Sequence, residues 1–305
     1  MYHYVRDFTN SIYPGIKGRS IDEFRNQLKF LKNNFTMIAY EDLLGAITEG
    51  DSLPKNSCLL TFDDGYIDHY LNVVPLLDEH KIQGMFFPPA VVIKHRKILN
   101  VNKIHYILAC EPDTSILIDE IRKWIESSPK KDGLTLFETY WNTWAIADEY
   151  DPAPIIFIKR MLQVGLPDPM REKLINNMFA NIVTEDDKAF AEQLYMTKQQ
   201  LQSLIRAGHY VGNHGWDHQW LTDLEPKDQA REIDHALEFL ANIGAPTKNW
   251  IMSYPYGGWN KSLLSILEVR DCLCGMTTIE AVANLRDDAR FILPRFDTNQ
   301  FPVTN

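Results

Sequence analysis

The chain has 305 residues, 45% of them hydrophobic, which is enough to bury a large core as one α/β domain or two smaller ones. Its formal net charge of -10 at pH 7 argues against nucleic acid or an anionic membrane surface as the main ligand, because both favour clustered lysine and arginine. No stretch approaches the length of an apolar membrane span, and no apolar segment follows Arg6 and Asp7, so we expect no signal peptide, no membrane span and a cytoplasmic location.

Strand and helix signals alternate over the first 90 residues. Ser20 and Glu23 form a capping box before an amphipathic helix, and further helices are predicted at residues 40–47 and 70–77. The predicted strands are residues 2–5, 35–39, 58–62 and 85–87. A strand, a helix and a strand in succession indicate a parallel unit.

Residues 59–65, Leu-Leu-Thr-Phe-Asp-Asp-Gly, are an apolar run that stops on two carboxylates and a glycine. A short apolar run bounded by turn residues is typical of a buried strand in a parallel sheet. Asp63 and Asp64 should therefore emerge at the carboxyl end of this strand, the edge where α/β folds place their chemistry. Alone, such a triplet is also typical of a solvated turn.

Residues 97–195 have long helical periodicities interrupted by prolines. We interpret them as a helical insertion within a single domain that spans residues 1–305. Because active-site loops leave the carboxyl ends of strands in such folds, the insertion is expected to cover the open end of the barrel and to decide substrate choice. An oligomerisation module is the alternative. Its tryptophans could stack on sugar rings, although aromatic residues on helices are more often core.

The alternating pattern resumes after residue 195. Thr197 and Gln200 form a second capping box, and Gly208 ends the helix that they begin. Helices are then predicted at residues 228–243 and 263–269, and strands at residues 250–252, 272–276 and 291–293. This alternation predicts an α/β fold, built as a distorted or incomplete β/α barrel with a helical insertion.

Two imidazoles four residues apart, His214 and His218, follow the short apolar segment at residues 209–212. On a helical turn, positions i and i+4 share a face and can bind one ion. One carboxylate and two imidazoles form a facial ligand set that leaves positions open for water and substrate. The sequence therefore predicts a metal site.

Three motifs occur in a characteristic order: T-F-D-D-G at residues 61–65, H-x-x-x-H at 214–218 and M-S-Y-P-Y-G at 252–257. On these motifs the chain resembles the polysaccharide deacetylase family, also called the NodB homology domain or carbohydrate esterase family 4. Members carry T-F-D-D-G, H-[ST]-x-x-H and an R-x-P-Y-G type motif. The resemblance covers residues 1 to about 90 and 196–305, and it is closest to members associated with surface-polysaccharide biosynthesis.

The resemblance implies a barrel fold and a role for each motif residue. Asp64, His214 and His218 would bind a divalent metal, Zn²⁺ in first place and Co²⁺, Ni²⁺ or Mn²⁺ as alternatives. Asp63 would be the general base, and the backbone N–H of Tyr256 would donate to the oxyanion. The metal would activate water for the hydrolysis of an amide.

One departure from the family pattern is Ser253, which stands where many members have an arginine. Asp63 then needs another cation to keep it ionised. Arg295 follows the predicted strand at 291–293 and is expected to pair with Asp63 through its planar fork. A surface arginine beside Asp297 is the alternative.

A second departure is the missing late Leu-x-Leu-His motif, which supplies the general acid in the family. No histidine follows His235. His3, His69 and His105 are the candidates for this role, and we favour His105, at the start of the insertion.

Together these features predict a metal-dependent hydrolase that removes an N-acyl group, acetyl or formyl, from an amino sugar. A cytoplasmic enzyme of this kind meets polysaccharide precursors, so the expected substrate is nucleotide-linked or lipid-linked and belongs to lipopolysaccharide or capsule biosynthesis. A carbohydrate O-acetyl esterase is one alternative, because the same site can attack an ester. A carbohydrate-binding protein with a degraded site is the other, because the acid and the arginine are missing from their usual motifs.

Overall fold

The structure is a computed structural model that describes residues 1–128, 134–285 and 289–303. It divides into two compact units, the first formed by Met1–Asp7, Gly18–Lys97 and Ala191–Asn305, and the second by Phe8–Lys17 and Ile98–Phe190. The second unit contains most of the predicted insertion, of which residues 129–133 lie outside the described part. It also contains residues 8–17, which the sequence analysis did not connect with it. A single domain with an insertion at residues 97–195 stays a prediction.

The strands of the first unit are short and pair in parallel throughout. They are β1 (Thr36–Met37), β2 (Ser57–Cys58), β3 (Leu60–Asp63), β4 (Gly84–Phe87), β5 (Tyr210–Val211), β6 (Trp250–Ser253) and β7 (Cys272–Met276). Strand β1 pairs with β2, β4 lies between β3 and β5, and β6 pairs with β7.

Single bridges link two of these small sheets and add further segments to them. Tyr2 pairs with β3, Asn213 joins the end of β5 to β6, and Leu293 extends the β7 edge. The N–H of Thr298 donates to the carbonyl of Met1 at 3.2 Å, so the C-terminal segment is bonded to the N-terminal segment. The predicted α/β class and the distorted, incomplete β/α barrel are confirmed.

The helices are, in chain order, α1 (Ile21–Asn34), α2 (Tyr40–Thr48), α3 (Val74–His80), α4 (Ala90–Lys94), α5 (Asn100–Cys110), α6 (Thr114–Ser127), α7 (Phe137–Trp144), α8 (Ala153–Arg160), α9 (Asp168–Ile182), α10 (Asp187–Leu194), α11 (Lys198–Arg206), α12 (Pro226–Ile243) and α13 (Lys261–Glu268). Both predicted capping boxes are present, at the starts of α1 and α11. No helix among the described residues is long and apolar enough to cross a membrane.

Four predicted elements differ from the structure. The strand expected at residues 58–62 is split between β2 and β3, which belong to different sheets. The strands expected at residues 2–5 and 291–293 form isolated bridges instead of ladders. The helix expected over residues 70–77 begins with a π-helical turn at His69–Val73 and continues as α3, whose early Pro75 lacks the N–H that a regular ladder needs.

The core beneath the candidate site is apolar and aromatic. Every residue of β3 and β4 is buried, as expected for parallel strands that are covered on both faces. Phe62 of β3 stacks on Phe86 of β4 with ring centroids 5.0 Å apart. The polar groups at the carboxyl ends of these strands therefore border this apolar layer, and they face little water.

The second unit is helical in its described part and has a core of its own. Helix α5 packs against α9, and the ammonium of buried Lys103 donates to Asn176 at 2.9 Å. Tyr13 contacts Tyr106 of α5 edge to face with centroids 4.9 Å apart, which attaches residues 8–17 to this unit. Half-buried Trp141 packs on Phe157 with ring centroids 4.8 Å apart.

Candidate metal centre and active site

Strand β3 delivers two adjacent carboxylates. Asp63 is its last residue, and Asp64 follows with φ 71°, in the left-handed region. Their N–H groups donate to the carbonyls of Tyr2 and Phe87, each at 3.0 Å, so neighbouring segments hold the backbone on both sides. Asp63 and Asp64 are 2% and 4% exposed, which is rare for carboxylates that lack partners. The expectation that both emerge at the carboxyl end of a buried strand is confirmed.

The carboxylate of Asp64 lies against two imidazoles. Its Oδ1 is 3.5 Å from Nε2 of His214 and 3.3 Å from Nε2 of His218. This is the one cluster of three or more potential ligands in the described ranges whose ligand atoms all lie within 4.8 Å of one another. Oδ1 is buried and has no hydrogen-bond partner among the described residues. A buried, unpartnered carboxylate oxygen facing two imidazole nitrogens fits a divalent transition metal.

His214 and His218 do not lie on a helical turn, so that part of the sequence prediction is wrong. They belong to an irregular loop in which Gly215 has φ 74° and His218 has φ 51°. Nδ1 of His214 donates to the carbonyl of Ser253 at 2.6 Å. Because a carbonyl can only accept, this bond fixes the hydrogen on Nδ1 and leaves Nε2 to face Asp64.

Glu232 of α12 holds this loop in place. Its Oε2 accepts the N–H groups of Trp216 and Asp217 at 3.1 and 3.0 Å. Burial raises the pKa of Glu232. Sequence reasoning missed this residue, although a signal existed: Glu232 falls on the buried stripe of α12, where an apolar residue is expected.

The protonation of the three candidate ligands follows from their surroundings. Burial disfavours the charge on Asp64, but the nearby imidazoles of His214 and His218 keep its pKa well below the usual value. Burial lowers the pKa of His218 to about 4. For His214, burial is outweighed by the nearby carboxylates of Asp64 and Asp63, so its pKa is raised. Protonation of Nε2 and metal binding there would therefore compete.

Arg295 pairs with Asp63. Its two terminal nitrogens donate to Oδ1 and Oδ2 of Asp63 at 3.1 and 2.8 Å, and its Nε donates to the carbonyl of Thr277 at 2.9 Å. The hydroxyl of Ser253 adds a bond to Oδ2 at 3.2 Å. Arg295 is 8% exposed, so the alternative of a surface arginine is wrong. Although burial opposes it, the charge of Arg295 keeps the pKa of Asp63 far below its usual value.

Tyr256 lies in a short 3-10 turn, Pro255–Gly257, beyond β6. Its φ of 58° and ψ of 8° are left-handed, which is costly for a residue with a bulky side chain. Its ring contacts His218 with centroids 4.7 Å apart and stacks on Trp220 at 4.2 Å. Tyr256 thus borders the candidate metal ligands. Trp220, on which it stacks, was not singled out from the sequence. The oxyanion role of Tyr256 stays a prediction.

The three candidate acids occupy different places. His105 lies on α5 in the second unit, and its role stays a prediction. His69 is fully buried, donates from Nε2 to the carbonyl of His3 at 2.7 Å, and has a pKa lowered to about 4 by burial. Tyr2 forms a parallel bridge with Phe62, and the N–H of Asp63 donates to the carbonyl of Tyr2. The backbone of His3 therefore runs beside the carboxyl end of β3.

The chain is similar to known proteins in sequence and in fold. The profile of the polysaccharide deacetylase family matches residues 50–106 and 170–271. The Bacillus subtilis protein YxkH is 27% identical over 108 residues, a segment that covers 35% of this chain and 38% of YxkH. The matched segment is thus well under two thirds of that relative.

Two solved structures share the fold. The deacetylase PplD of Streptococcus pyogenes superposes with a TM-score of 0.58 at 15% identity, and the match covers 97% of this chain and 88% of PplD. IcaB from Ammonifex degensii also gives 0.58, at 18% identity, and the match covers 98% of this chain and 90% of IcaB. At these identities the likeness shows the fold alone.

Proposed function

This chain belongs to the polysaccharide deacetylase family, and we propose that it is a metal-dependent hydrolase that removes an N-acyl group from an amino sugar. One observation carries the proposal: the Asp64, His214 and His218 cluster lies beside a second carboxylate, Asp63, that Arg295 keeps ionised. The proposed substrate is a surface-polysaccharide precursor that carries an acetyl or formyl group on a nucleotide-linked or lipid-linked amino sugar.

Asp64, His214 and His218 would hold the divalent ion. Zn²⁺ is our first choice, and Co²⁺, Ni²⁺ or Mn²⁺ suits the same ligand set. When bound, such an ion lowers the pKa of its water and polarises the acyl oxygen. The protein contributes the orientation of each ligand, through the Ser253 carbonyl for His214 and the Glu232 carboxylate for the loop.

Asp63 is proposed to take the proton of the attacking water. A general base must be ionised and fixed in position, and two bonds from Arg295 and one from Ser253 meet both needs. The nitrogens of Arg295 are directed at Asp63, Thr61 and Thr277, so Arg295 acts through Asp63 as a positioning residue. The backbone N–H of Tyr256 is proposed to donate to the oxyanion.

Arg295 also bears on the alternative of a degraded site. That alternative was based partly on the missing arginine of the third motif. Because Arg295 supplies a buried cation to Asp63 from another part of the chain, this reason no longer applies.

For the general acid we propose His3, with His105 as the alternative. Cleavage of an amide needs a proton on the leaving amine, whereas an aryl ester with an acidic leaving group does not. His3→Asn should therefore slow hydrolysis of an acetamido sugar by about 10²–10⁴-fold and have a much smaller effect on 4-nitrophenyl acetate. His105→Asn is the matched comparison. Equal losses on both substrates in the His3 variant would remove the assignment.

Four variants test the site as a whole. Asp64→Ala, His214→Ala and His218→Ala should each lose bound Zn²⁺, whereas Asp63→Asn should keep it and lose turnover, because a base need only accept a proton. Metal analysis is combined with detection of acetate or formate released from nucleotide-linked and lipid-linked acetamido sugars. Unchanged metal content in the His214 variant would remove the proposed site. Absence of acyl release by the metal-loaded wild type would argue against the activity.

A further inference from the structure

The two oxygens of the Asp64 carboxylate have different surroundings. Oδ2 accepts the hydroxyl hydrogen of Tyr66 at 2.7 Å. Oδ1 faces the two imidazoles and has no hydrogen-bond partner within the described part of the chain. One oxygen is therefore occupied by a protein donor, and the other is left for an ion.

The phenol of Tyr66 is held rigidly. It is fully buried, with 0% exposure, and its ring stacks on Tyr4 with centroids 4.1 Å apart and an interplanar angle of 23°. Tyr195 stacks on it at 6.2 Å and also forms an antiparallel bridge with its backbone. A phenol is protonated at neutral pH, so the hydroxyl is a donor to the carboxylate, which can only accept.

A carboxylate can bind a metal through one oxygen or through both. Binding through both fills a position on the ion that a hydrolase needs for water or substrate. Groups that hydrogen-bond to a ligand set its orientation, and their loss typically lowers metal affinity by about 10–100-fold. A donor fixed on Oδ2 opposes its rotation toward the ion.

We propose that Tyr66 is a positioning residue that holds Oδ2 of Asp64 and thereby reserves Oδ1 as the single carboxylate ligand of the metal. This inference rests on the proposed function, because it presupposes that Asp64, His214 and His218 bind a divalent ion. It adds a specific role for the residue that follows the glycine of the T-F-D-D-G motif. The competing explanation is that Tyr66 only fills the core between its aromatic neighbours.

Tyr66→Phe distinguishes the two, because phenylalanine keeps the ring stack and removes only the hydroxyl. Tyr40→Phe is the matched control: Tyr40 is 9% exposed and donates its hydroxyl hydrogen to the carbonyl of Asn249 at 2.8 Å, so it too loses one largely buried hydrogen bond. Thermal unfolding of both variants checks that each is folded.

Metal affinity is measured by competition with a chromophoric chelator, using Zn²⁺ and Co²⁺, and the visible absorption of the Co²⁺ protein reports its coordination. We expect Tyr66→Phe to bind one equivalent about 10–100-fold more weakly, with weaker Co²⁺ absorption because the carboxylate can now supply a second oxygen. Tyr40→Phe should match the wild type in both readouts.

Wild-type affinity together with a wild-type Co²⁺ spectrum in Tyr66→Phe would overturn this inference and leave the proposed function intact. If the wild-type protein binds neither ion stoichiometrically, the proposed metal site itself fails. The two failures are therefore distinguishable in one set of titrations.

Discussion

Removal of the Arg295 guanidinium should change how Asp63 titrates. The pair is buried, with side-chain exposures of 6% and 2%, and its closest atoms are 2.8 Å apart. Two unit charges about 4 Å apart interact by about 4 kcal/mol at an effective dielectric constant of about 20. At about 1.4 kcal/mol per pKa unit this is roughly three units, at the upper end of the roughly one to three observed beside an arginine.

The sign follows from the role of Asp63. A base with a lowered pKa stays ionised over the working range, and its activity disappears only as pH falls through that pKa. In Arg295→Ala the positive charge that opposes the effect of burial is removed, so burial raises the pKa of Asp63. The acidic limb of the pH profile of kcat/KM should therefore move to higher pH by about one to three units, with lower turnover and metal retained. Arg295→Lys restores the charge without the fork and should rescue only partly.

Arg270→Ala is a matched control. Arg270 also donates two hydrogen bonds to one carboxylate, that of Asp234, at 2.6 and 3.0 Å, but Asp234 is 54% exposed. We expect no shift of the acidic limb and a loss of at most about 1 kcal/mol in the free energy of unfolding. Breaking the buried pair should cost about 3–5 kcal/mol, so turnover is scaled to the folded fraction. Wild-type turnover and an unshifted acidic limb in Arg295→Ala would show that Arg295 does not serve Asp63.

Three further changes test other parts of the molecule. Glu232→Ala leaves two partly buried N–H groups unpaired, so it should lower the free energy of unfolding by about 2–3 kcal/mol and weaken Zn²⁺ binding. Glu238→Ala, exposed on the same helix, should do neither, and equal behaviour of the two variants would contradict the role of Glu232. Zn²⁺ affinity should fall as pH falls through the raised pKa of His214, because the metal displaces that proton; a flat chelator titration would contradict this. Replacing residues 8–17 and 98–190 by short linkers should leave a folded, metal-binding first unit without selectivity among acylated sugars; retained selectivity would refute the insertion hypothesis.

The features of the fold that could be predicted are those that depend on residues close together in the sequence. The capping boxes at Ser20 and Thr197 involve residues three apart, and both are present. The apolar run before Asp63 also predicted a buried strand correctly, because continuous hydrophobicity bounded by turn residues has few other solutions. Residues 2–5 could not be assigned correctly in this way, because they pair with other segments at single bridges, Tyr2 with Phe62 and Val5 with Arg19.

For the candidate site, too, part could be predicted from the sequence and part could not. The spacing of His214 and His218 identified the right residues for the wrong reason, since their loop is held by Glu232 and by the Ser253 carbonyl rather than by a helical ladder. A carboxylate at the end of a buried strand needs a nearby cation to stay ionised, and this was enough to predict a cation for Asp63. It could not reveal Glu232 or Tyr66, whose roles depend on which backbone groups and oxygens they meet after folding.

The pairing of Asp63 with Arg295 joins residues 232 positions apart, and this has a consequence for the order of synthesis. On a ribosome, the three candidate ligands and the groups that orient them are all made once residue 253 is complete, whereas the cation that pairs with Asp63 comes 42 residues later. Contacts of such long sequence separation form slowly, because a large loop must close before they stabilise anything. A nascent chain would thus carry the proposed metal ligands before the proposed base has its cation, and we expect activity to begin only when the last segment docks.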